Sequence, residues 1–168
     1  MEKSVIGLNL CPFAESVYRS GRVRFRVSEQ RSTAGLLAEL RAELALLKSA
    51  DPLLVETSLL IHPWVLTNFI EYNDFLGVCD AALVDMDLDG ELQVASFHPQ
   101  YQFDGTQPED IENYTNRSPY PMLHLLRESS IESAISSTTD AEEIYRKNIR
   151  TLRGLGYAGW ERMWRQTR

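Results

Sequence analysis

The chemistry open to this chain rests on three histidines, a scatter of carboxylates and one segment that combines arginine with aromatic and amide side chains. His98 follows Ser96-Phe97 at the end of a β-like run and precedes Pro99. An imidazole there can transfer a proton or ligate a metal near neutral pH, or can be a hydrogen-bonded structural residue. Residues 99–120 then show no convincing periodicity, yet they carry Tyr101, Phe103, Ile111, Tyr114 and Tyr120. So many aromatics do not suit a solvated tether, and structureless loops this long inside compact domains tend to be functional or disordered. The segment therefore reads as an ordered loop lining a pocket. Tyr101, Asn113, Asn116 and Arg117 are its candidate substrate-binding groups, although Asn113, Thr115, Asn116 and Ser118 are equally able to satisfy the loop's own backbone.

The helix expected after the loop, from Pro121 to about residue 137, carries His124, Glu128, Ile131 and Ile135 on one stripe. A buried carboxylate is costly unless paired, and Arg117 and Arg127 are the nearest partners by sequence. Two readings follow. A structural His–Glu–Arg network would pin loop to helix. Alternatively, His98, His124 and Glu128 form a catalytic acid–base set, with Arg117 holding an anionic substrate group. His98, His124 and an acid from Asp104, Glu109 or Asp110 could also make a two-His-one-carboxylate site. Their spacing is unlike a compact ligand motif, so no metal ligand is assigned, and the residues name no cofactor. Cys11, in Leu10-Cys11-Pro12 at a helix break, reads either as an activated thiol or as an inert core thiol. There is no phosphate-loop, dinucleotide-binding or nucleophile-elbow motif.

Composition narrows the class. At 168 residues, 43% hydrophobic and 24% charged, the chain is one globular domain (residues 1–168) that is neither disordered nor membrane-spanning. The N-terminus shows no signal-peptide pattern, and two cysteines make no disulfide framework, so a cytoplasmic location is expected. A net charge of −7 argues against general nucleic-acid binding. The charge is uneven, because residues 144–168 hold seven basic side chains against Glu161 alone. That tail reads as a solvated helix face docking on an acidic body, or as a contact for an acidic partner or RNA.

The positioning elements follow from periodicity. Residues 4–20 read as a helix interrupted at Pro12. Val23, Phe25 and Val27 alternate with Arg22, Arg24 and Arg26, a half-buried edge strand with arginines on its outer face. Leu36, Leu37, Leu40, Leu44 and Leu47 mark a helix behind Thr33, residues 57–61 a central strand, and residues 65–78 another helix. Residues 82–87 and 91–98 look like strands around Leu88-Asp89-Gly90, a hairpin. Asp140 and Glu143 resemble a capping box for a last helix that Gly154, Gly156 and Gly159 break before a Trp160–Trp164 turn. The expected fold is α+β: a small mixed four-stranded sheet, β-α-β-α-β-β, covered by helices, with a long ordered loop before the fourth helix. Its first three strands run parallel and the fourth against them. His62 and His98 would then lie at opposite ends of the sheet, whereas they would meet if residues 82–87 were helical.

Three strings are distinctive: Val5-Ile6-Gly7-Leu8-Asn9-Leu10-Cys11-Pro12-Phe13, Ser96-Phe97-His98-Pro99-Gln100-Tyr101-Gln102-Phe103, and the run from Asn113-Tyr114-Thr115-Asn116-Arg117 to Leu125-Leu126-Arg127-Glu128. Together they resemble a bacterial family catalogued as domain of unknown function fourteen-fifteen, over nearly the whole chain. The resemblance implies a bacterial, cytoplasmic, stand-alone domain, with an upstream part of the opening helix lying before this sequence. It brings no activity, cofactor or catalytic residue. Two functions remain. One is a binding protein or enzyme for a polar or anionic metabolite, its partner a small anionic ligand, built from residues 98–128. The other is a non-catalytic protein-interaction module in which those residues are a structural staple and the basic tail or Trp160 and Trp164 meet a partner. The first expects the loop's polar side chains to converge on a cavity, the second to be consumed by backbone hydrogen bonds.

Overall fold

A computed structural model describes residues 1–136 and 141–165. After a π-helical turn (Glu2–Ile6) the elements are α1 (Ala14–Arg19), β1 (Val23–Val27), α2 (Thr33–Ser49), β2 (Thr57–Ile61), α3 (Phe69–Asp85), β3 (Leu92–Phe97), a 3₁₀ turn (Ile111–Thr115), β4 (Met122–Arg127), α4 (Glu128–Ser136) and α5 (Ala141–Arg165). The capping position Asp140, the end of the basic tail and the side chain of Trp164 lie outside the described residues.

The fold is mixed α/β on a four-stranded sheet ordered β1-β2-β4-β3. β1 and β2 pair in parallel, and β4 sits between β2 and β3, antiparallel to both. Two stretches differ from the expectation, one a helix in place of a strand and the other a strand in place of a helix. Residues 82–85 belong to α3, because Tyr72, Phe75, Cys79, Ala82 and Leu83 form one buried helical stripe that overrides the local β-like composition. Asn68 starts that helix, its Oδ1 accepting the Ile70 and Glu71 N–H groups at 2.9 and 3.2 Å. The turn at Asp87 (φ 53°) and Gly90 (φ 77°) therefore joins a helix to β3 and closes no hairpin. Residues 122–127 are the fourth strand and not a helix: Leu123 and Leu125 are fully buried while His124 points to the other face. β2, β3 and β1 share one direction, so His62 and His98 end at the same edge of the sheet, contrary to the hairpin expectation.

Both α2 and α3 cover one face. Leu36, Leu40, Leu44 and Leu47 of α2 and Tyr72, Phe75, Cys79 and Leu83 of α3 close over Leu60, Leu92, Leu123 and Leu125. Burial drives the Cys79 thiol up to about 12, leaving it inert. β1 is an edge strand, as its alternation suggests, but its faces are reversed. Arg24 pairs with Glu43 at 2.8 and 2.9 Å and Arg26 with Glu39 at 2.6 Å, both on α2, and Phe25 and Val27 are left 51% and 56% exposed on the opposite face. The Arg24 guanidinium holds the buried Glu43 carboxyl below its usual range, and Ser58 adds a 3.0 Å hydrogen bond.

A second, smaller core joins the N-terminal segment to the end of the chain: Leu10, Ile111 and Leu152, with Leu8, Tyr114 and Trp160 against them. α5 breaks at Gly156 (φ 61°, ψ 174°), a conformation that suits glycine. At the end of β4, Arg127 turns back under α2, where its Nη2 donates to the carbonyls of Leu47, Ala50 and Val55 at 2.6, 2.9 and 3.3 Å. A cation on the last carbonyls of a helix is favourable. Arg127→Ala is expected to cost about 2–3 kcal/mol in urea unfolding, and Arg41→Ala, which breaks an exposed pair with Asp85, under about 1 kcal/mol.

Candidate functional site

β2 and β3 deliver His62 and His98 to either side of the fully buried Tyr72. The ring centroids lie 5.8 and 5.0 Å from the phenol, and Phe69 packs on His98 at 5.4 Å. The Tyr72 hydroxyl accepts the Phe97 N–H at 3.0 Å and donates to the Met122 carbonyl at 2.8 Å, so it ties the end of β3 to the start of β4. Burial raises its pKa. His98 Nδ1 accepts the Gln100 N–H at 3.0 Å, which leaves Nε2–H to donate to the Leu66 carbonyl at 3.2 Å. Leu66 itself has φ 56°, a strained conformation for leucine. His62 donates from Nδ1 to Val65 O at 2.8 Å, and its buried Nε2 has no partner among the described residues. Burial lowers the pKa of both imidazoles, and for His62 the nearby His98 adds to the effect.

The loop is organised by its own side chains. Asn113 is fully buried: its Oδ1 accepts the Phe103 N–H at 3.0 Å and the Thr106 hydroxyl at 2.8 Å, and its Nδ2 donates to Gln107 O at 2.7 Å. Asn116 Nδ2 donates to Ser96 O at 3.1 Å. Arg117 donates from Nε to Tyr101 O at 3.1 Å and from Nη2 to Pro108 O at 2.6 Å, its guanidinium 4.6 Å from the Tyr114 ring centre. Tyr101 lies between Phe69 and Phe103, at 5.5 and 5.0 Å. Of the residues singled out above, Tyr101, Asn113, Asn116, Arg117 and His98 thus come together, with amide and guanidinium groups turned onto backbone carbonyls.

His124 and Glu128 do not share the helical stripe, because the chain changes from strand to helix between Arg127 and Glu128. His124 lies mid-strand, paired with Leu59 on one side and Ala95 on the other. Since the Thr57 hydroxyl donates to Leu125 O at 2.6 Å, it accepts the His124 Nε2–H at 2.8 Å. Phe97 packs 6.0 Å from the ring. Desolvation by this apolar surround lowers the imidazole pKa to about 4, so it is neutral at pH 7, although the residue as a whole is half-buried. Glu128 opens α4, its N–H bonded to Glu91 O at 3.0 Å, and its carboxylate has no hydrogen bond or ion pair among the described residues. Thr57 and Tyr72, which orient these groups, were not singled out in the sequence. A threonine in a strand and a tyrosine on an apolar helical stripe carry no signal of such a role.

Among the described residues, no group of three His, Cys, Asp or Glu side chains could hold a metal ion, and no helix is long and apolar enough to cross a membrane. Two clefts are lined from outside the loop. One of about 270 Å³ lies between the turn at Asn9, Pro12 and Phe13 and α5, and another of about 380 Å³ involves Glu2, Ile6 and Tyr18. Cys11 is a half-buried free thiol.

A family model described as a protein of unknown function (DUF1415) matches residues 1–162. No curated protein and no solved structure matches the chain.

Two outcomes follow from the hydrogen-bond geometry. Asn113→Ala leaves the Phe103 N–H and Gln107 carbonyl without their partners, and is expected to lower stability by about 2–4 kcal/mol in denaturant titration. For His124, the folded pKa near 4 lies below the unfolded 6.5. The unfolded chain thus takes up the proton first, and stability is full above pH 6.5 and falls as the pH drops towards 4. His124→Gln should flatten that acid limb by on the order of 2 kcal/mol, allowing for the residue's partial exposure. Melting temperatures measured across this pH range would check it, the part due to His62 and His98 remaining.

Proposed function

The chain belongs to the DUF1415 family, and since that membership carries no activity, we propose from the geometry that it is a non-catalytic interaction module whose uncharged sheet face pairs with the same face of a second copy. In this reading residues 98–128 are a structural staple. The observation that carries it is the use of the loop's polar groups: Asn113, Asn116 and Arg117 are each engaged with backbone, and His98 is engaged at both ring nitrogens. Acid–base chemistry by His98, His124 and Glu128 on an anion held by Tyr101, Asn113, Asn116 and Arg117 would need those groups free and adjacent.

The contact surface is the face of the sheet opposite α2 and α3. Each strand gives it three side chains: Val23, Phe25 and Val27; Thr57, Leu59 and Ile61; Met122, His124 and Leu126; Gln93, Ala95 and Phe97. None carries a formal charge, and His124 is neutral. Leu59 and Thr57, in β2, are each only 6% exposed. Its exposed apolar side chains, Phe25 and Val27, lie along the β1 edge and the remainder are half-buried or buried; exposed apolar surface of this kind marks interaction sites. Charge favours a second copy over a basic or acidic partner. The β1 arginines are neutralised internally by Glu56, Glu43 and Glu39, so this edge offers no free cation. A chain of net charge −7 can approach its own copy with least repulsion here. About a dozen side chains is roughly half of the 20–30 per side in a standard interface, so the pairing is weak and concentration-dependent.

Sedimentation equilibrium from about 1 µM to about 1 mM should show monomer passing to dimer with a Kd in the micromolar range. Phe25→Asp should stay monomeric with an almost unchanged melting temperature, since Phe25 is half exposed. A wild-type monomer throughout, or equal dimerisation of the variant, would overturn the reading.

A further inference from the structure

The N-terminal turn and α5 form a cleft that the sheet face does not explain. Asn148 sits buried on α5 and donates from Nδ2 to Leu10 O at 2.8 Å, and Leu152, one turn on, packs against Leu10. This docking fixes the turn, in which Asn9 adopts φ 50°, a left-handed conformation that asparagine tolerates better than most residues. Pro12 and Phe13 form one wall of the resulting cleft. The opposite wall is one face of α5, where Glu143, Lys147 and Arg150 follow at i, i+4 and i+7 beside Ile144.

The four cations in the first half of α5 divide into two kinds. Arg146 is paired with Glu142 at 2.5 Å and Arg153 with Glu112 at 2.6 Å. Lys147 and Arg150, the two that line the cleft, have no hydrogen bond or ion pair among the described residues. Two cations without an ion pair beside an apolar wall suit an anion that carries an apolar body. Arginine offers a planar fork to a carboxylate or phosphate, and lysine a mobile point charge. The cleft, at about 270 Å³, falls just below the roughly 300–1,000 Å³ typical of drug-sized ligands.

We propose that this cleft binds a small organic anion, a carboxylate or phosphate attached to a compact apolar body. Lys147 and Arg150 hold the anionic group, and Pro12, Phe13 and Ile144 pack on the body. Glu143, at the same cleft, repels a second negative charge at its end and so selects a ligand charged at one end only. The site is separate from the sheet face, and its occupancy does not depend on pairing.

Isothermal titration at low ionic strength with benzoate, phenyl phosphate and inorganic phosphate tests the proposal and distinguishes the two anionic groups. The expected result is binding of benzoate or phenyl phosphate with a Kd of about 0.1–1 mM, at least about tenfold tighter than inorganic phosphate. The Lys147→Ala/Arg150→Ala variant should weaken it at least about tenfold. Arg146→Ala, which removes an equal charge from the same helix outside the cleft, should leave it unchanged. No binding up to about 10 mM, or equal weakening by Arg146→Ala, would overturn the proposal. All three side chains are exposed, so the variants keep the fold.

Discussion

The structure depends on where β4 inserts. Met122–Arg127 runs antiparallel between β2 and β3 and hydrogen-bonds to both, so without it β3 has no partner. Its alternation sends Leu123 and Leu125 into the main core and His124 to the other face. Its two ends are held by side-chain hydrogen bonds, one from α3 and one from its own last residue. Tyr72 joins the Met122 carbonyl to the end of β3, and Arg127 reaches the last carbonyls of α2. A central strand supplied so late in the chain must be delivered by a long connection, and the segment from His98 to Tyr120 is that connection. Its density of side chain-to-backbone hydrogen bonds is what a loop needs when its middle is buried and much of the rest half-buried, where it cannot rely on water.

This gives the histidines a shared physical character. All three have pKa values lowered by burial. Each donates one ring N–H to an oxygen: Val65 O, Leu66 O or Thr57 Oγ1. Neutral imidazoles with fixed tautomers serve as polar spacers at strand ends and within the sheet, and acidification is what disturbs them. The same neutrality leaves this sheet face without charge, where a protonated His124 would spoil an apolar contact.

Much of the framework was legible in the residues. The leucine stripe of α2 and the β1 and β2 runs are long or regular enough for periodicity to decide them. β3 was legible apart from its ends. Residues 82–87 and 122–128 were not, for one reason: short apolar runs fit either period, and tertiary pairing decides. In the first, continuity with Tyr72, Phe75 and Cys79 favoured helix. In the second, an unfilled place between two strands favoured β-structure over the helical pattern that linked His124 to Glu128. The reversal of β1 has a similar origin. Alternation shows that two faces differ, but it was the carboxylates of Glu39 and Glu43 on α2 that drew the arginines to the helix side. The ordered, aromatic character of the loop was legible. The engagement of Asn113, Asn116 and Arg117 with backbone was not, because reach and direction depend on a path that composition does not specify. The unpaired cations at the N-terminal turn were hidden for a different reason, since only the packing of α5 separates them from the paired ones.

The claim on which the account turns is that the loop and β4 are one structural unit. Native-state hydrogen exchange followed residue by residue by NMR tests it most directly. The Gln100 and Phe103 amides are bonded to His98 Nδ1 and Asn113 Oδ1. They should exchange as slowly as the amides of Leu123 and Leu125, and all should lose protection together in Asn113→Ala. Loop amides that exchange freely while β4 stays protected would show that the segment is not a staple, and would contradict the account.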